Sequence, residues 1–489
     1  MKRWAIAAAL ALALPRCAPA TERAVSEVRP TPDAGALPPS FDPAERVERY
    51  APEGATVVVH FTRDGRNAVP ATDADGDGWP DYVALVSETY QRVLAFEASA
   101  MRFRSPLSDA TLADNGGDGR FDVYLVDFNG RGDGAFRSDA CEPAAPWRCR
   151  GHMLQDNDFN GYGYPSLAVA VRTVASHELF HSTQAAYRSA DSATLAEGTA
   201  VWATERFDPS LDDLERLSAL YLSATDRSLD VEPSGPADSF SYGVSLWFLH
   251  QGQRHGDSIV EALLARRDRA DAPSWLVDYR DVLRARDRSF VDEFNHFASW
   301  CLFTATLSDP ARGPAQGAQL RTVPRTALAL GRHTSVLRLF RSSFRVFAID
   351  APPALTSLVV AVDPASNTAN TALLVAPIRG GRIDSVTQQP LASQTLDTHN
   401  AERLLLVAVN ANAEGPSAIL TLCAQDHGRR ECEPPTAAPD AGADAAGAPP
   451  PQPAPPAGCA ATPARTSNAA RALLLLAALY SALVARRFR

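Results

Sequence analysis

The chain has 489 residues, too many for one ordinary core, so two folded units with tails are expected. A hydrophobic fraction of 45% beside 21% charged residues is that of a globular protein. The formal net charge of -10, with Lys2 the single lysine and arginine carrying the remaining positive charge, argues against nucleic acid or anionic lipid as a partner.

At the start, Lys2 and Arg3, the apolar run Trp4 to Leu14 and the small-residue pattern Ala18-Pro19-Ala20 make residues 1–20 a signal peptide. Lipidation at Cys17 is the alternative, although Arg16 stands where a small residue is wanted. Residues 21–50 are rich in proline and charge and form a linker, or an ordered arm without a core of its own. A buried strand is expected over Ala55 to Phe61, where Val57, Val58 and Val59 follow one another. Apolar Val83, Val86, Tyr90, Val93 and Leu94 predict a helix over Asp81 to Phe96, and Phe121 to Phe128 alternates as a strand. The first part is therefore α+β.

Pro165 to Tyr187 reads as one long helix with the proline in its first turn. Helices are expected to continue through Ala193 to Phe207, Leu211 to Leu222, Tyr242 to Gln251, Ser258 to Arg266 and Phe290 to Thr304. From about 320 the texture changes to short β-rich runs, Ser343 to Ile349, Ser357 to Val362 and Leu404 to Val409, separated by Gly, Pro, Asn and Asp, which predicts a small β-sandwich. Seven cysteines suit an oxidising compartment. Cys141 with Cys149, and Cys423 with Cys432, are candidate disulfides, and Cys301 is left as a buried thiol.

The far end carries a Pro/Ala tract over 433–458, then Gly458-Cys459, the apolar run Ala472 to Ala485 and Arg486-Arg487-Phe488-Arg489. A membrane-spanning helix needs about 20 apolar residues, more than this run offers, so it reads as a sorting tail; a plain C-terminal membrane helix is the alternative. Gly-Cys, a short hydrophobic stretch and terminal arginines resemble the MYXO-CTERM tails of myxobacterial surface proteins over about the last thirty residues. That resemblance implies sorting and processing machinery acting near Cys459 and retention at the cell surface.

His177-Glu178-Leu179-Phe180-His181 spells HExxH on the long expected helix. Histidines four apart project from one helix face, where a single zinc takes both imidazoles, and Glu178 reaches a water at that metal without ligating it. Two partly buried histidines on an amphipathic helix would be the bland account. After fifteen intervening residues comes Glu197, within Leu195-Ala196-Glu197-Gly198-Thr199-Ala200, again in an expected helix. The arrangement resembles the gluzincin metallopeptidases, in which HExxH is followed by a helix with Glu in an E-G-x-A setting. The resemblance implies His177, His181 and Glu197 as zinc ligands, Glu178 as general base, and Gly198 as a point of close helix packing. It also suggests Tyr242 as a donor to the oxyanion, with a packing tyrosine as the other possibility. Glu205, eight residues past Glu197, either orients a ligand histidine or faces solvent. His60 and His250 are expected to be structural, and Arg131-Gly132-Asp133 is a chance match to an adhesion tripeptide.

Asp73-Ala74-Asp75-Gly76-Asp77-Gly78-Trp79-Pro80-Asp81 resembles the first half of an EF-hand-type calcium loop, with Asp73, Asp75, Asp77 and Asp81 as ligands. Position twelve is Ala84, so the loop is no full EF-hand, and a solvated turn competes with the calcium reading. A second acidic loop, with Asp114, Asp118 and Asp122, repeats the spacing less well. Together with the Asp118 to Tyr124 segment and the tail, these motifs look like those of a group of myxobacterial surface proteins assigned as metalloproteases by motif. The expectation is a secreted, surface-retained zinc endopeptidase acting on extracellular proteins or peptides, with Zn2+ and a calcium loop. Its parts are a catalytic region over 51–320, a β-sandwich over 321–432, a stalk over 433–458 and a tail over 459–489. The rival is a catalytically silent, calcium-binding surface or adhesion protein on a degenerate peptidase fold.

Overall fold

The computed structural model describes residues 29–31, 39–231, 239–331, 337–351, 355–362 and 370–426. The expected signal peptide, stalk and tail, with Cys17, Cys432 and Cys459, lie outside these residues. The protein is α+β: a β/α region, a helical middle and a β-rich C-terminal region.

The first region is a five-stranded sheet built from β1 (Glu48–Tyr50), β2 (Val57–Phe61), β3 (Phe121–Leu125), β4 (Gly134–Glu142) and β5 (Ala145–Gln155), in the order β1-β2-β3-β5-β4. The β2, β3 and β5 strands run parallel, and β1 and β4 close the edges antiparallel. Three consecutive valines suit β2 because branched side chains pack well on a pleated surface, and every residue of that strand is buried. One face carries Val57, Val59, Phe61, Val123, Leu125 and Met153 against helices α1 (Asp81–Ala95) and α2 (Leu167–Arg188). Across the β4–β5 hairpin Cys141 pairs in register with Cys149, and the two are disulfide-bonded. Neither strand of this hairpin was foreseen, because their polar composition hides the alternation. The segment expected as a linker contributes β1 and buries Arg29 and Phe41 on the sheet's other side.

Helix α2 starts two residues later than expected. Ser166 caps it, its Oγ accepting from the Val169 amide at 3.3 Å, so Pro165 precedes the cap instead of entering the first turn. A short turn leads into α3 (Ala193–Phe207), capped in the same way by Ser192. The middle continues through α4 (Asp213–Leu222), α5 (Phe240–Gly243), α6 (Ser245–His255), α7 (Ser258–Arg267), α8 (Trp275–Arg284) and α9 (Phe290–Trp300). The single helix expected over Tyr242 to Gln251 is two, α5 and α6, and α8 was not foreseen although Trp275, Leu276, Tyr279, Val282 and Leu283 repeat at helical spacing. Trp247 centres this core, with Tyr279, Phe290, Phe294 and Phe297 at ring separations of 5.2–5.9 Å. Cys301 is a free, buried thiol, as expected. Cys423 is disulfide-bonded.

The β-rich region contains β6 (Arg325–Ala327), β7 (Leu337–Leu339), β8 (Ser343–Asp350), β9 (Ser357–Val362), β10 (Thr371–Arg379), β11 (Arg382–Ile383), β12 (Thr387–Pro390), β13 (Gln394–Asp397), β14 (Arg403–Asn410), β15 (Ala418–Leu420) and β16 (Leu422–Asp426). The larger sheet has the order β11-β10-β14-β8-β6 with β12 also on β10; a smaller one has β13-β9-β16, and β15 pairs with β7. Strand β14 is apolar on both faces. Leu404, Leu406 and Ala408 face the smaller sheet's Leu358, Val360 and Leu422, whereas Leu405, Val407 and Val409 join the helical core with Phe294 and Phe297. A sheet covered on both sides reads as a continuous hydrophobic run rather than an alternating one. Because both faces are packed, Leu405→Ala and Leu406→Ala should each cost about 2–5 kcal/mol. Urea unfolding should show both lowering one shared transition; two separately moving transitions would mean that the faces unfold independently.

Candidate metal centre

The α2–α3 pair forms an antiparallel helical hairpin, which sets three side chains of different turns facing one another. His177 Nε2 lies 3.2 Å from Glu197 Oε2, and His181 Nε2 lies 3.6 Å from the same oxygen. One donor atom from each of the three falls within 4.8 Å of the others. Tetrahedral zinc with bonds of 2.0–2.2 Å holds its ligand atoms about 3.3 Å apart, so the donor set and its spacing fit a metal ion. The three side chains remain 11–19% exposed, which leaves the group open on one side.

The hairpin's register is fixed by Gln184, which sequence reasoning missed. Its Nε2 donates to the Ala196 carbonyl and to Thr199 Oγ1, both at 2.8 Å, while the Thr199 hydroxyl donates to the Leu195 carbonyl. With its amide nitrogen committed to α3, Gln184 turns Oε1 to His181 Nδ1 at 2.9 Å. That oxygen can only accept, so when the imidazole is neutral its proton stays on Nδ1 and Nε2 is the nitrogen left to bind a metal beside Glu197. A partner on the far ring nitrogen is the usual way a ligand histidine is oriented. Gly198 acts in the neighbouring layer: a Cβ there would lie 3.1 Å from Phe248 and 3.3 Å from Val244, so glycine lets the α5–α6 corner approach α3.

That approach brings Tyr242 of α5 to the site, its ring stacked on His177 at 5.8 Å. The Glu197 carboxylate first, then burial, hold its phenol well above the ordinary value, so it keeps its proton. Glu178 is half-buried beneath the start of β4, where a Cβ on Gly134 would meet its Cγ at 3.0 Å. Burial raises its pKa, against the lowering effect of His177 and His181, and the carboxylates of Glu197 and Asp133 raise it further. Asp133, passed over as part of a chance tripeptide, accepts from the Tyr164 hydroxyl at 2.6 Å within electrostatic reach of His177. For His181, burial lowers the pKa, but the Glu197 carboxylate more than reverses this and raises it to about 9. Burial would raise Glu197, and the two histidines instead hold it below the usual carboxylate range. Beneath them, burial pushes Glu97 up to about 8, with its Oε2 accepting from Thr183 at 2.6 Å.

Glu205 neither faces solvent nor orients a histidine. It is buried at the far end of α3, where burial and Glu215 push it up to about 8 and Gln316 donates to it at 3.4 Å. His60 is paired with Asp122 and His250 with His296, both inside the protein. In the first acidic loop, carboxylate oxygens of Asp73, Asp75 and Asp81 lie within 4.8 Å of one another. Asp77 stands apart from that group and accepts from the Trp79 amide at 2.8 Å. The second acidic loop does not converge: Asp118 is ion-paired with Arg49 and Arg120, and Asp122 is buried against His60 and Arg29.

No family model and no curated protein matches the chain. Among solved structures it is similar to the pre-peptidase C-terminal domain of a collagenase from Bacillus anthracis, with 10% identity over 22% of this chain and 98% of that one and a TM-score of 0.17. A score of that size does not establish a shared fold.

Two outcomes follow from the geometry. Gln184→Leu should weaken zinc binding about 10–100-fold, measured by chelator competition, whereas Glu205→Gln should leave it unchanged. Ligation needs neutral His181, which in the metal-free protein carries a proton below about 9. Zinc affinity should therefore fall by up to about tenfold for each pH unit below that value, with proton release on binding measurable by calorimetry in buffers of different ionisation enthalpy.

Proposed function

We propose that this protein is a zinc-dependent peptidase acting outside the cell on proteins or peptides. The observation that carries the proposal is the convergence of His177, His181 and Glu197 at the spacing of a tetrahedral site, with Glu178 and Tyr242 beside them. Zinc held by these three supplies a Lewis acid for the scissile carbonyl and lowers the pKa of a water to about 7. In this reading Glu178 takes the proton of the attacking water, its raised pKa making it the stronger base, and returns it to the leaving amine. Tyr242, kept protonated, donates to the oxyanion that develops on the carbonyl oxygen. Asp133, which accepts from the Tyr164 hydroxyl, adds its charge to the effects that raise the pKa of the base.

The extracellular setting is supported by the Cys141–Cys149 disulfide and by the N-terminal sequence pattern. Among the described residues no helix is long and apolar enough to cross a membrane; the proposed sorting tail lies outside them. The Asp73, Asp75 and Asp81 oxygens further support a calcium site in the loop before α1. In that case millimolar calcium raises the melting temperature of the wild type and leaves an Asp75→Ala/Asp81→Ala variant where it was.

Casein hydrolysis before and after chelation, with zinc analysis of the same sample, tests the main proposal. Activity should vanish with the metal and return when zinc is added back. Glu178→Gln should keep zinc and lose about 10²–10⁴-fold in kcat/KM, and Tyr242→Phe should lower kcat about 10²-fold or more with little change in KM. Wild-type turnover by Glu178→Gln would overturn the assignment of the base.

A further inference from the structure

The face of the five-stranded sheet turned away from α1 and α2 is not apolar. Asp122 and Tyr124 of β3, His60 of β2 and His152 of β5 all point from it, since His60 pairs in register with Tyr124 and Val123 with Met153. Asp139 of β4 and Asp109 from the loop before β3 complete a ring of three carboxylates, each no more than 6% exposed. His60 Nε2 lies 2.7 Å from one oxygen of Asp122, and His152 Nδ1 lies 2.8 Å from one oxygen of Asp139.

The guanidinium of Arg29 fills the ring. Its Nη1 donates to Asp122 and, at 3.0 Å, to the Tyr124 hydroxyl; its Nη2 donates to Asp109 and, at 2.8 Å, to Asp139. Arg29 is 1% exposed. The backbone beside it is pinned as well, the Phe41 amide donating to the Pro30 carbonyl at 3.0 Å, and Phe41 packs on Tyr124, Val126 and Leu154. Burial raises Asp109 to about 6, and the Arg29 guanidinium works against that rise. A planar fork with donors on both nitrogens reaches three carboxylates and a phenol at once, which the single point charge of lysine cannot do.

We propose that this ring is an arginine receptor whose permanent occupant is Arg29, so that the protein works with this arm attached and N-terminal processing ends upstream of residue 29. If the arm left, three buried carboxylates would lose the guanidinium they share and keep only the imidazoles of His60 and His152 beside two of them, a state that folded proteins avoid. The arm is thus part of the folded unit and not a removable leader beyond that point.

The N-terminus of wild-type protein recovered from the medium or cell surface, read by Edman degradation or intact mass, tests the processing limit. A start at or before Arg29 is expected; a folded chain starting beyond it overturns the proposal. Receptor chemistry is tested on full-length Arg29→Ala, which should melt about 10 °C or more below the wild type. Millimolar methylguanidinium should recover part of that loss, whereas methylammonium should not, and Arg29→Lys should stay low. An Arg29→Ala variant that melts like the wild type, or is folded and indifferent to methylguanidinium, overturns the receptor. If Arg29→Ala yields no folded protein, the N-terminus of the wild type decides by itself.

Discussion

The candidate centre depends on the register between α2 and α3. Each residue of a helix turns its side chain by about 100°, so a slip of one residue along α3 would carry Glu197 away from both histidines. The four-residue connection between the helices, with Ser192 capping α3, limits the slip at one end. Gln184 limits it in the middle, because its amide is bonded to Ala196 and Thr199 on one side of the pair and to His181 on the other. The same side chain therefore sets the position of Glu197 and which nitrogen of neutral His181 carries the proton. Gly198, one residue beyond Glu197, then determines how near the α5–α6 corner and Tyr242 can come.

Charge placement follows environment more than spacing. Glu197 and Glu205 lie on one helix, yet the first is held ionised by two imidazoles and the second is pushed towards its neutral form by burial and Glu215. On the sheet, the helix-facing side is mainly apolar, with Gln155 donating to Tyr82 of α1, while the other side buries three aspartates around one guanidinium. Removing a partner from such a group costs more than making the group contributes, because the remaining charges are left desolvated.

The β-rich region is tied to the site through its doubly covered sheet. Phe344 of β8 touches Tyr221 of α4, and Tyr221 touches Phe240, which begins the short helix carrying Tyr242. The strands thus back the wall that positions one side of the centre. Their inner layer, with Leu404, Leu406 and Ala408, is closed by the smaller sheet and leaves the helical core undisturbed.

By itself the sequence determined the features that repeat locally. The valine run of β2, the periodic apolar residues of α1, α2 and α3, and the HExxH and E-G-T-A segments each carry their signal within a few residues, and the helices appear within a few residues of where periodicity puts them. Spacing of four on one helix is enough to place His177 and His181 together. The β4–β5 hairpin, the break between α5 and α6, and the roles of Gln184, Asp133 and Arg29 were decided by tertiary structure. Arg29 and Asp133 act through partners far away in the chain, such as Arg29 with Asp139, and Gln184 through the packing of α3 on α2; no local pattern encodes such a pairing. The same reason separates the two acidic loops: alternating aspartates look alike in sequence, but in one they meet each other and in the other Arg49, Arg120, Arg29 and His60 reach them first.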